Sequence, residues 1–182
     1  MAMQPGRRPR PPLTAEKLEE TALNYVGRFA TSRAKLRSYL ERKIRERGWA
    51  GEGEPPLDAL ADRFVSLGYV DDRAFALAKA RSLAGRGYGL RRVEQALAMA
   101  GIDELNGADA RELAGAEAVE AALRFARKRS IGPYAKRKPD PRERERYLAA
   151  MIRAGHAFAL ARTIVDLEPG EEPDLEALTS GS

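Results

Sequence analysis

The apolar residues of this 182-residue chain recur every three or four positions, and no stretch alternates with a period of two, which confines the fold to helices. Val and Ile are sparse while Ala, Leu, Arg and Glu dominate, a bias that further disfavours strands. Nine apolar stripes follow Thr14. The first, Leu18, Ala22, Tyr25, Val26 and Phe29, sits behind a Thr14 N-cap and ends near Thr31. A second starts at Ser32, carries Leu36, Leu40 and Ile44, and stops at Gly48; a third runs through Leu57, Leu60, Ala61, Phe64 and Leu67 to a left-handed stop at Gly68. Asp71 and Asp72 can cap a fourth helix with Phe75, Ala76, Ala78 and Leu83, which leads into a turn at Gly85, Gly87 and Gly89. Leu90, Val93, Leu97 and Ala100 make the fifth. A short sixth is expected around residues 108–113, and a seventh carries Val119, Ala122, Leu123 and Ala126. Asp140, Pro141 and Glu143 supply the cap of an eighth, with Tyr147, Leu148, Met151 and Ile152, and a ninth carries Phe158, Leu160, Ala161, Ile164, Val165 and Leu167.

Charge divides these helices into three groups. Residues 31–49 hold seven basic and two acidic side chains, and 51–72 hold one and six. The same wave repeats as six and one over 73–100, then one and six over 101–120, and restarts as seven and none over 121–138. Ala-Leu pairs at Ala22-Leu23, Ala76-Leu77 and Ala122-Leu123 precede helix-ending glycines Gly48, Gly101 and Gly155 by 25, 24 and 32 residues. The pattern predicts an all-α, elongated array of three tandem three-helix repeats, 14–70, 71–115 and 116–168. A disordered basic tail over 1–13 and an acidic, frayed tail over 169–182 complete the expected layout.

Several chemistries are excluded by composition. Zero Cys removes thiol nucleophiles and disulfides, and a single His, His156, cannot build a site of several imidazoles. No Gly is followed by Lys, so there is no Walker-type loop, and the Gly85–Gly89 turn follows a helix where a dinucleotide fingerprint needs a strand. His156 reads as a surface or capping residue. Asp71-Asp72 could hold Mg²⁺ in a nuclease, but adjacent Asp residues opening a helix more often satisfy free backbone amides. No run approaches the roughly 18 apolar residues of a membrane span, and the N-terminus lacks the apolar core of a secretory signal. The expectation is a cytoplasmic, monomeric protein that is not an enzyme and needs no cofactor or metal.

The informative residues are basic. At about 100° per residue, Lys35, Arg42 and Arg45 point away from the Leu36, Leu40, Ile44 face. Arg91 and Arg92 lie outside the stripe of the fifth helix, and Arg124 and Lys128 lie opposite Val119 and Leu123 in the seventh. Three such faces exceed what solubility alone requires, since a solubility face mixes in as much Glu. They suit a phosphate-rich partner, single- or double-stranded DNA, or an acidic protein surface. A tandem helix-turn-helix protein binding duplex DNA by itself is the alternative, although only Gln95 offers a base-reading amide on those faces. A scaffold without a nucleic-acid role would need a large apolar patch, and the stripes are used by the core.

The block GYVDDRAFA, Gly68 to Ala76, followed by Arg81, the GRGYG turn, Val93, Leu97 and AGI ending at Ile102, resembles the RecX family of regulatory proteins. ALNYVGRFATSRAKLRSYLERK and RAGHAFALARTIV look like that family's first and third repeats, so the resemblance spans about Leu18 to Leu167. It implies tandem three-helix units related to helix-turn-helix modules. It also implies a protein that lies in the groove of the RecA nucleoprotein filament on single-stranded DNA and restrains it, with Arg81 added to the basic contact residues. The chain departs from the family pattern in its GWAGEGEPP linker, its sixth helix, and AGHAF where Arg-Gly-aromatic is more usual.

Overall fold

A computed structural model describes residues 11–180. Its helices are α1 (Ala15–Val26), α2 (Arg33–Arg47), α3 (Leu57–Ser66), α4 (Asp72–Gly85), α5 (Leu90–Met99), α6 (Glu104–Ala116), α7 (Ala118–Arg129), α8 (Pro141–Arg153), α9 (Phe158–Asp166) and α10 (Leu175–Ser180), with a short 3-10 turn at Gly132–Tyr134. No strand forms among the described residues, so the all-α class holds. The anticipated caps form. Thr14 Oγ1 accepts from the Lys17 amide, Ser32 from that of Lys35, and Asp140 with Glu143 makes a reciprocal capping box.

The described residues form two compact units, 11–72 and 73–180. The first has one core, in which Leu18 and Ala22 of α1, Leu36 and Leu40 of α2, and Leu57 and Phe64 of α3 meet Leu13 and Val70. Each buried Leu contributes roughly 1.5–3 kcal/mol relative to exposure. The second unit has two cores. One joins Ala76, Ala80 and Leu83 to Val93, Leu97, Ile102, Ala110 and Ala114. The other joins Ala122, Phe125 and Ala126 to Ile131, Met151, Leu160, Ile164, Val165 and Leu178. Tyr88 packs against both.

Five expectations need correction. The proline-rich tail lies mostly outside the described residues, but Leu13 is fully buried, and its backbone pairs with Gly48 and Ala50 beside Trp49. Helix α1 stops at Val26, leaving Phe29 beyond its end and 58% exposed. Helix α6 is a full thirteen residues, because Asp103 caps it through the Asn106 amide and its buried face is made of Gly107, Ala110 and Ala114. The acidic C-terminal segment is not wholly frayed, since α10 seats Leu178 in the third core. His156 is 2% exposed, not a surface residue.

Candidate interaction faces

Part of the sequence charge is spent inside each unit. The guanidinium of Arg33 reaches Asp62 at 2.5 Å and Asp58 at 3.2 Å, and Arg37 reaches Asp58 at 3.0 Å. Hydrogen bonds from Arg37 and Arg33 hold the Asp58 carboxyl below its ordinary range, and Arg33 does the same for Asp62. In the second unit Arg73 pairs with Asp109 at 2.6 Å, and Arg144 grips Asp166 through two hydrogen bonds of 2.6 and 2.7 Å. Arg137 pairs with Glu143, and Lys138 with Glu168.

The cations on the outer face of α2 are Lys35, Arg42 and Arg45, all exposed. Arg42 lies 5.4 Å from the Tyr39 ring centre and 3.7 Å from Glu46, a solvent-exposed pairing worth little. Asp72 does not cap α4 as expected: it is the first helical residue there, and its Oδ1 accepts from the Arg33 amide at 2.7 Å, completing the N-terminus of α2. Among the described residues no cluster of His, Asp and Glu is arranged to hold a metal ion.

In the second unit the cations gather around the GRGYG turn. Tyr88 lies between the guanidinium groups of Arg86, at 5.5 Å, and Arg92, at 6.0 Å. Lys128 reaches in from α7 and donates to the Arg86 carbonyl at 3.1 Å. Arg91 and Arg81 are exposed nearby in sequence, on α5 and α4. Among the described residues none of Arg81, Arg86, Arg91, Arg92 or Lys128 forms an ion pair with a carboxylate. Arg124 differs from its expected role. It is half-buried, with Glu117 at 3.4 Å and Glu120 at 3.7 Å, because those acids precede it by seven and four residues on the same helical side.

This cluster rests on a backbone seam. Gly89 donates to the Ala154 carbonyl at 3.0 Å, and the Arg91 amide donates to the Gly155 carbonyl at 3.2 Å. Helix α5 has no side-chain N-cap, so the Gly155 carbonyl takes the place of one. The His156 ring closes the seam: its Nε2 donates to the Gly87 carbonyl at 3.1 Å, while buried Nδ1 has no partner. That bond assigns the Nε2–H tautomer. Burial pushes the His156 pKa below the ordinary imidazole value, against the opposing pull of the Gly87 carbonyl.

Sequence reasoning missed Arg86, which it treated as part of a turn. It also missed Tyr25, Arg28, Phe29 and Tyr39, which with Asn24, Ala30, Lys35 and Arg42 line a cleft of about 530 Å³ in the first unit. The spacing of Lys35, Tyr39 and Arg42, at i, i+4 and i+7, was the available signal.

The fold is that of a protein of tandem three-helix domains. A family model for the second three-helix domain of RecX matches residues 71–110. Regulatory protein RecX of Myxococcus xanthus is 34% identical over 163 residues, covering 84% of this chain and 86% of its own length. Regulatory protein RecX of Agrobacterium fabrum is 31% identical over 164 residues, 85% of each chain. The crystal structure of RecX from Lactobacillus salivarius superposes with a TM-score of 0.58 at 18% identity, over 83% of this chain and 94% of that one. The chain belongs to the RecX family of regulatory proteins. Among the described residues no helix is long and apolar enough to cross a membrane.

Proposed function

We propose that this chain is a cytoplasmic, non-catalytic regulator that binds the RecA filament on single-stranded DNA as a monomer and mainly inhibits it, so acting in recombinational DNA repair and the SOS response. The three repeats, 14–70, 71–115 and 116–168, each present basic residues to that partner: Lys35, Arg42 and Arg45, then Arg81, Arg91 and Arg92, then Lys128 with a lesser part for paired Arg124. The observation that carries the reading is the group Arg81, Arg86, Arg91, Arg92 and Lys128, which has no carboxylate partner among the described residues although the chain holds 27 acidic side chains. A face that only kept the protein soluble would mix the two signs. Desolvating these cations against phosphates or acidic filament residues releases counterions, so binding weakens with salt.

The test is RecA ATP hydrolysis on single-stranded DNA, with the chain added far below the RecA concentration. Wild type suppresses hydrolysis, because one occupied filament position affects many subunits. The double variant Arg91→Glu, Arg92→Glu loses most of that suppression while its helicity is unchanged. Suppression equal to wild type would reduce these residues to solvated surface. Tight, sequence-dependent binding to bare duplex DNA with no effect on ATP hydrolysis would favour the helix-turn-helix alternative.

A further inference from the structure

The cleft between the end of α1 and the face of α2 is built for something planar and anionic. Gly27 caps the C-terminus of α1, and the chain then runs through Arg28, Phe29 and Ala30 before Ser32 caps α2. The Phe29 amide donates to the Tyr25 carbonyl at 3.0 Å, which holds the ring beside Tyr25, with centroids 5.5 Å apart. Tyr25 in turn stacks on Tyr39 of α2, with centroids 4.0 Å apart and planes 12° from parallel. The two tyrosines therefore spend their faces on each other and on Arg42, forming a rigid wall. Phe29 does not. More than half of its surface meets water, so packing accounts for little of its presence.

Three cations, Arg28, Lys35 and Arg42, border this wall, and among the described residues no acidic side chain lines the cleft. Asn24 adds an amide able to pair with a base edge. Its volume of about 530 Å³ lies within the usual range of ligand sites. We propose that the cleft takes an unstacked base of single-stranded nucleic acid against Phe29, with the flanking phosphates on Arg28, Lys35 and Arg42. Aromatic rings that accept any base face, beside cations that track the backbone, are how single strands are held without sequence preference. An acidic protein segment would use the cations but leave the exposed ring without a partner. The inference concerns bare single strands and stands apart from the filament reading.

The experiment measures equilibrium binding of the full chain to a labelled oligothymidylate of roughly a dozen nucleotides. A matched strand of abasic sites, with all phosphates kept, is the comparison. Wild type binds oligothymidylate more tightly. Phe29→Ala, at an exposed position that leaves melting unchanged, raises the oligothymidylate Kd about five- to a hundredfold and leaves the abasic Kd alone. Arg28→Gln weakens both strands and lowers the salt slope by about 0.7. Equal affinity of wild type for the two strands, or equal effects of Phe29→Ala on both, overturns the proposal. So does a Phe29→Ala variant that loses RecA suppression while binding oligothymidylate normally, since the cleft would then dock protein. Discrimination between the strands by a chain that has no effect on RecA leaves the proposal standing and removes the filament reading alone.

Discussion

Gly89→Ala tests the seam that joins the second and third helical cores. The backbone of Gly89 is extended, at φ −84° and ψ 174°, so an alanine fits its conformation and any cost is purely steric. The added Cβ would press on the Gly155 carbonyl and lie 2.7 Å from the His156 nitrogen. Those are backbone atoms of a turn in which Gly155 itself holds φ +95° and approaches Arg92, so they cannot rotate away. Either the clash stays, at ~1–3 kcal/mol for an overpacked site, or the seam parts. Parting loses Gly89 to Ala154, Arg91 to Gly155 and His156 to Gly87, at ~0.5–1.5 kcal/mol each. The less costly route decides, so the loss is about 1–3 kcal/mol. At roughly 4 °C per kcal/mol for a unit of this size, the melting temperature falls by about 4–12 °C. Circular dichroism at 222 nm follows the transition, with the starting signal unchanged because the helices survive. Gly85→Ala is the control, since nothing lies within 4 Å of its Cβ position. Equal melting of the Gly89 variant, the Gly85 variant and wild type would refute the seam as a source of stability.

Two further outcomes follow from single contacts. His156 is the only histidine, and its native pKa lies below the unfolded value near 6.5; the unfolded chain therefore binds the proton first, so stability is complete above that pH and declines as pH falls toward the native pKa. Urea midpoints at about pH 7.5 and 5.5 should differ for wild type and agree for His156→Gln, whose amide still donates to Gly87; parallel declines in both would show that another group titrates. Asp72→Ala removes the acceptor of the Arg33 amide and should cost ~0.5–2 kcal/mol by thermal denaturation, whereas Asp72→Asn keeps an acceptor and costs a few tenths. An Asn variant as damaged as the Ala variant, or metal-dependent cleavage of DNA by wild type, would contradict a capping role.

The helices that were legible in the sequence are those whose caps and stripes use large apolar residues. Thr14, Ser32 and Asp140 cap where the pattern places them, because capping is local chemistry between residues three apart. Helix α6 was underread because Gly107, Ala110 and Ala114 bury little surface each, and a small-residue face carries no strong periodic signal. Leu13 and Leu178 sit in segments rich in proline or acid, where composition points to disorder and a single buried anchor decides otherwise. His156 and the three glycines of the GRGYG turn were unreadable in another way. Their partners lie up to 69 residues away, and only the folded backbone shows that Gly89 makes room for Gly155 and His156, and Gly87 for Phe125, while Gly85 faces open space.

The charge waves carry two meanings that the sequence superimposes. Basic and acidic stretches alternate partly because Arg33 and Arg37 need Asp58 and Asp62, Arg73 needs Asp109, and Arg144 needs Asp166. Exposed pairs of this kind contribute little each to stability, but they neutralise the cations nearest the acidic helices. The remaining basic side chains are concentrated by the fold. Around Tyr88, cations from 86, 92 and 128 converge because the turn and α7 meet there; in the first unit, 28, 35 and 42 border one aromatic cleft. Arg124, like Arg33, has carboxylates within reach, and its charge is partly neutralised within its own unit. A partner that reads charge on this protein therefore meets clusters set beside aromatic rings, Tyr88 in one unit and Phe29 with Tyr39 in the other.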